Sequence, residues 1–151
     1  MAFDPPKRPS FLRLLIVEDN LEREQQLRAR LPVDIKLVVA TSAGKAMGVL
    51  RLDKGRVYAG IVLDHDLQER SAPEADPFLS GKDVVEAVIR YVSKDVPILV
   101  HFINSSQSTI MVNRLREADF GVTKIPMDIL TKESFQSWIE YVREVWSDLQ
   151  A

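Results

Sequence analysis

The stretch that decides the fold is residues 59–66, which reads Ala59-Gly60-Ile61-Val62-Leu63-Asp64-His65-Asp66. A continuous apolar run of this kind is typical of a strand that is buried on both faces of a parallel sheet. The run ends at His65 and the two aspartates that flank it, Asp64 and Asp66. Open α/β sheets bind ligands just beyond the carboxyl ends of their strands, so this stretch predicts a central strand with a polar site at its end.

Two other apolar runs end in the same way. Leu14-Leu15-Ile16-Val17 stops at Glu18-Asp19, and Val96-Pro97-Ile98-Leu99-Val100 stops at His101, with Asn104 soon after. Carboxylates gathered at one edge of a sheet repel one another, and a divalent cation such as Mg²⁺, which prefers oxygen ligands, relieves that repulsion. Both histidines of the chain, His65 and His101, belong to the same set.

Five predicted strands alternate with helical segments along the chain. The strands are expected at about 12–17, 35–40, 58–63, 96–102 and 121–125. Asn20 is expected to cap the first helix, which has a thin apolar stripe, and the helix after the fourth strand is expected to begin at about Thr109. This alternation predicts a flavodoxin-like, doubly wound α/β fold with a five-stranded parallel sheet in the order 2-1-3-4-5 and helices on both faces.

Length and composition narrow the class of protein. The 151 residues suit one domain over residues 11–151, after a proline-rich tail at residues 1–10 that reads as flexible. The absence of cysteine excludes disulfides, thiolate catalysis and cysteine-bound zinc. The net charge of −2 gives no global electrostatic field that would attract nucleic acid. The first apolar stretch is too short to span a membrane or to act as a signal peptide, so a cytoplasmic location is expected.

From Leu12 to about Trp146 the sequence resembles a response-regulator receiver domain. The matching residues are the acidic pair Glu18-Asp19 after the first strand, Asp64 at the end of the third, and Lys124 at the end of the fifth. The resemblance implies that Glu18, Asp19, Asp64 and the backbone carbonyl of Asp66 bind Mg²⁺. It also implies that Asp64 accepts a phosphoryl group and that Lys124 contacts this group.

A receiver of this kind implies a place in a phosphorelay. A histidine kinase or a phosphotransfer protein would supply the phosphoryl group, and a separate protein would receive the output. The sequence leaves open whether the protein forms a homodimer. Phosphoryl transfer depends mainly on positioning and charge neutralisation. A metal ion held by carboxylates, together with one lysine, would supply that neutralisation.

The sequence also departs from the receiver pattern. Phe102, next to His101, stands near the place of the serine or threonine that ends the fourth strand in receivers. The segments Leu63-Asp64-His65-Asp66-Leu67 and His101-Phe102-Ile103-Asn104, followed by Met111, resemble a divergent receiver branch proposed to process cyclic phosphates.

Three functions therefore stay open at this point. The first is a stand-alone phosphoacceptor, and the second is a metal-dependent phosphoesterase that uses His65 and His101 as acid and base, with Asn104 as a phosphate contact. The third is a degenerate receiver that only binds other proteins. The intact acidic pair, Asp64 and Lys124 favour the first, whereas Phe102 and the two histidines favour the second. Four matched roles outweigh one lost hydroxyl, so the first is the function that the sequence predicts.

Overall fold

The structure is a computed structural model that describes residues 12–64, 81–102, 105–126 and 130–150, apart from the side chains of residues 105–107 and 150. The tail at residues 1–10 and the predicted site residues His65, Asp66 and Asn104 lie outside these ranges. Strands and helices alternate in the order β1 Leu12–Val17, α1 Leu21–Ala29, β2 Ile35–Ala40, α2 Ala43–Leu52, β3 Gly60–Asp64, α3 Gly81–Tyr91, β4 Ile98–Phe102, α4 Ser105–Glu117, β5 Val122–Pro126 and α5 Lys132–Gln150.

The strands form one parallel sheet in the order β2-β1-β3-β4-β5, which confirms the predicted topology. Val17 of β1 pairs with Leu63 of β3, and Asp64 of β3 pairs with His101 of β4. The carboxyl ends of β1, β3 and β4 are therefore side by side at one edge of the sheet, as the sequence predicts.

Most element bounds differ from the sequence expectation by only a few residues. β4 begins at Ile98 and not at Val96, because Pro97 has no N–H to donate to the sheet ladder. α4 begins at Ser105, earlier than the expected Thr109. Serine disfavours helix interiors, which is why a later start is expected, but the added turn is helical and its Ser108 is fully buried.

Side-chain alternation divides the core into two layers. On one face of the sheet, Leu15, Val17, Leu63 and Val100 pack with the residues of α2, α3 and α4. On the other face, a second cluster packs beneath α1 and α5; its strand residues include Leu14, Ile16, Val62 and Leu99. Successive strand residues point to opposite faces of the sheet. The parity of a residue, meaning its odd or even place along the strand, therefore shows which helices its side chain faces.

α5 packs closely on the sheet at Gly60, the first residue of β3. A Cβ atom at Gly60 would lie 2.9 Å from the ring of Trp138 and 3.1 Å from the side chain of Val142. The absence of a side chain at Gly60 thus allows the indole to pack directly on the strand. Trp138 also lies against Phe135, with ring centroids 6.1 Å apart.

α1 begins where the sequence predicts, but of its predicted apolar stripe, Leu21, Leu27 and Leu31, only the last two pack in the core. The Asn20 side chain caps the helix by accepting a hydrogen bond from the Arg23 N–H at 2.9 Å. Leu27 is buried, whereas Leu21 is 69% exposed. Arg23 and Glu24 are buried instead, so the helix turns charged side chains toward the protein. Within the described residues, no helix combines the length and apolar character needed to cross a membrane.

Candidate functional site

Three ionisable side chains from three neighbouring strands meet at the carboxyl edge of the sheet. Glu18 directly follows β1, Asp64 is the last residue of β3, and His101 is the second-last residue of β4. All three are almost inaccessible to solvent, with exposures of 1%, 1% and 0%. One ligand atom from each of the three lies within 4.8 Å of the others.

Strand parity explains why these three side chains converge. Each of them stands two residues beyond a core residue of the α1–α5 layer, namely Ile16, Val62 and Leu99. Because the side-chain period of a strand is two, each continues its strand's row on that same face. The parallel register then brings Asp64 beside His101.

Parity also settles which residue of β4 faces Asp64. His101 occupies that position, and Phe102 points to the opposite face. The Phe102 ring is buried there and lies 5.0 Å from Lys124 Nζ, measured to the ring centroid.

Arg23 is the member of the cluster that sequence reasoning missed. Its Nε lies 2.8 Å from Glu18 Oε1, and its Nη2 lies 3.9 Å from Asp64 Oδ2. The arginine side chain is only 9% exposed. The available signal was its place in the first turn of α1, three residues after the Asn20 cap, where the helix meets the end of β1.

Burial and like charge together govern the ionisation of Glu18. Desolvation is the main cause that raises the pKa of Glu18 to about 10, and a hydrogen bond to Asp64 and the Asp64 charge add to it. Arg23 opposes this shift but does not cancel it, and Asp19 raises the pKa further. Burial and the neighbouring carboxyl groups therefore favour the protonated form of Glu18, whereas the Arg23 guanidinium favours its ionised form.

Asp19 and Lys124 are the two other predicted site residues that the structure describes, and only Asp19 acts on this cluster. Both carboxylate oxygens of Asp19 are shielded from solvent, and its charge is felt at Glu18. Lys124 is on β5 as predicted, but its Nζ donates to Thr109 Oγ1 of α4 at 2.9 Å. Lys124 stands two residues after Val122 on β5, so its side chain leaves the same face of the sheet, which packs against α2, α3 and α4. The lysine amine is thus held on the opposite side of the sheet edge from His101.

The donor set fits a divalent cation. Glu18, Asp19 and Asp64 offer carboxylate oxygens, the ligand type that Mg²⁺ prefers. Besides burial, the neighbouring Asp64 and Asp19 charges raise the pKa of Glu18, and a bound cation would oppose this effect. His101 adds a nitrogen donor within the same cluster.

Comparison with known proteins finds similarity in structure but not in sequence. No family model matches the chain, and no curated protein sequence is detectably similar. Among solved structures, the receiver domain of a sensor histidine kinase from Pseudomonas aeruginosa PAO1 superposes with a TM-score of 0.64 at 17% identity, covering 88% of this chain and 98% of that one. That structure has a magnesium ion coordinated in its active site cleft.

Two further receivers give the same result. The N-terminal domain of a response regulator/sensory box/GGDEF protein from Carboxydothermus hydrogenoformans has a TM-score of 0.65 at 14% identity, over 92% of this chain and 99% of that one. Chemotaxis protein CheY4 of Vibrio cholerae has a TM-score of 0.61 at 16% identity, over 87% and 98%. The chain therefore has the fold of response-regulator receiver domains.

Proposed function

We propose that this chain carries out Mg²⁺-dependent chemistry on a phosphate group at the carboxyl edge of its sheet, and that the reaction is hydrolysis of a cyclic phosphate. The observation that carries this proposal is the position of His101, which is fully buried and within 4.8 Å of ligand atoms of Glu18 and Asp64. An imidazole beside carboxylates can take and return a proton near neutral pH.

In this reaction, water adds to phosphorus and one ring P–O bond breaks, which leaves a phosphate monoester. His101 takes the proton of the attacking water, and His65, the second histidine of the motif, gives a proton to the leaving oxygen. Glu18, Asp19, Asp64 and the backbone carbonyl of Asp66 would hold Mg²⁺. The metal would supply charge neutralisation at the phosphate oxygens. Asn104 is proposed as a further phosphate contact.

A second candidate is phosphoryl acceptance on Asp64 in a phosphorelay. It is supported by the receiver fold and by the position of Asp64 at the end of β3 beside Glu18. A histidine kinase or phosphotransfer protein would be the phosphoryl donor, and an output partner would respond to the phosphorylated form. The place of Lys124 weighs against this candidate, because its amine is bonded to Thr109.

One pair of measurements separates the two candidates. The purified protein is incubated with Mg²⁺ and a nucleoside 2′,3′-cyclic phosphate and followed by ³¹P NMR; a parallel sample with acetyl phosphate is followed by intact mass. Conversion of the cyclic phosphate to a monoester, lost in His101→Asn, supports hydrolysis. Gain of one phosphoryl group, lost in Asp64→Asn, supports acceptance instead. Failure of both reactions would leave the degenerate receiver as the remaining function.

A further inference from the structure

A cation already occupies the acidic cluster, and it belongs to the protein. The Arg23 guanidinium contacts Glu18 at 2.8 Å and approaches Asp64 to 3.9 Å. These two carboxylates are also the ones that fall within 4.8 Å of each other with His101. The proposed Mg²⁺ ligands are thus the partners of an arginine in this structure.

The position of Arg23 is not explained by the helix that carries it. The N-terminus of a helix has a partial positive charge, which favours acidic residues in the first turn and disfavours basic ones. α1 follows this rule with Glu22 and Glu24. Arg23 lies between them and is nonetheless 7% exposed, because it turns toward the carboxylates at the ends of β1 and β3.

A guanidinium and a divalent cation cannot share the same carboxylate oxygens without strong repulsion at such short range. We propose that Arg23 is an internal counterion that competes with the metal for Glu18 and Asp64. Metal binding displaces the guanidinium, and the displaced guanidinium binds the phosphate group of the substrate. This inference rests on the metal site of the proposed function and adds a phosphate contact to it.

The two halves of the inference are chemically consistent. Arg presents a planar set of N–H donors that binds carboxylate and phosphate in similar geometry, so one side chain can exchange one partner for the other. The exchange couples the two ligands, since the phosphate contact becomes available only when the metal is bound. A protein without metal keeps its buried carboxylates paired and does not retain phosphate.

Arg23→Met tests the competition, because methionine keeps an unbranched apolar stem and removes the charge. Arg28→Met is the matched control on the same helix, since Arg28 pairs with Glu24 and its side chain is 56% exposed. Mg²⁺ affinity is measured by titration calorimetry on metal-free protein. The expected result is about tenfold tighter Mg²⁺ binding in Arg23→Met and no change in Arg28→Met.

Equal or weaker Mg²⁺ binding in Arg23→Met overturns the competition, and so does the absence of Mg²⁺ binding in both wild type and variant. If Arg23→Met does not fold, Arg23→Lys is used; it keeps the charge but loses the forked contact, and its Mg²⁺ affinity should lie above that of wild type. Inorganic phosphate is then titrated with saturating Mg²⁺. Phosphate should bind wild type and bind Arg23→Met about tenfold more weakly, and equal binding overturns the phosphate contact.

The outcome also separates this inference from the proposed reaction. Tighter Mg²⁺ binding in Arg23→Met without any turnover of cyclic phosphate by wild type would contradict the reaction and support the competition. Turnover by wild type with unchanged Mg²⁺ affinity in Arg23→Met would do the reverse.

Discussion

Asp64 and His101 are register partners on adjacent strands, and both side chains are buried on the face that α1 covers. A carboxylate and an imidazole in this arrangement can exchange a proton, whereas a hydroxyl in the place of His101 could not do so near neutral pH.

His101→Asn should lower cyclic-phosphate hydrolysis by about 10²–10⁴-fold, because the variant removes the proton carrier and keeps a hydrogen-bonding side chain of similar size. Mg²⁺ should still raise the melting temperature of this variant, since the proposed metal ligands are carboxylates and a ligand that binds only the native state stabilises it. Turnover and thermal unfolding with and without Mg²⁺ check both parts. A lost Mg²⁺ shift would show that His101 is a metal ligand and not the proton carrier.

Glu18→Gln should change how stability depends on pH in metal-free protein. The pKa of Glu18 is raised from 4.5 to about 10, so the folded state keeps a proton that the unfolded state loses. This contribution is fully present below pH 4.5 and is lost as pH rises toward 10. Glutamine resembles the protonated acid, so the variant should lack this decline and be more stable than wild type at pH 9.

Urea unfolding at pH 5, 7 and 9 in the presence of a chelator measures the effect. Asp34→Asn is the comparison, because Arg143 lowers the pKa of Asp34 through an exposed ion pair far from the site. Parallel pH profiles for wild type and Glu18→Gln would contradict the protonation of Glu18 in the folded protein.

Lys124→Ala should leave cyclic-phosphate hydrolysis close to the wild-type rate, since the amine is bonded to Thr109 and lies over Phe102. Thr109→Val removes the hydrogen bond and retains the amine, which makes it the companion variant. Steady-state kinetics of both variants test this. A large loss of turnover in Lys124→Ala, with Thr109→Val unaffected, would place the lysine in the reaction.

Gly60→Ala should destabilise the protein by about 1–3 kcal/mol, because the added methyl group would overlap Trp138 in a packed layer. Gly48→Ala offers a matched control within α2, where a Cβ meets no atom within 4 Å. That change should stabilise by about 0.5–1 kcal/mol, as alanine favours the helix. Denaturant unfolding compares the two, and a neutral Gly60→Ala would show that α5 can move away from β3.

The fold could be predicted from local patterns. The apolar runs at Leu12–Val17 and around Ile61 mark buried strands, and polar residues at their ends mark one sheet edge. Parallel pairing then requires Glu18, Asp64 and His101 to meet, so most of the candidate cluster is visible in the sequence.

Arg23 could not be predicted in the same way. An arginine in a polar helix is usually solvated, and its burial depends on how α1 packs over the ends of β1 and β3. The face of the sheet to which the Lys124 side chain points was also unpredictable. Its parity follows from where β5 begins, and a shift of one residue in that strand would have turned it toward the other layer.

Asn20 has a consequence for the chemistry although its side chain caps the helix by a hydrogen bond to backbone. Successive side chains of an α-helix are rotated by about 100°, so the residue at which the helix begins affects which side chains face the sheet. The Asn20 amide anchors that start of the helix through the Arg23 N–H. If α1 started one residue later or earlier, its face would rotate by that angle and the guanidinium would swing away from Glu18. The orientation of the charged group is therefore encoded by a neutral residue one turn before it.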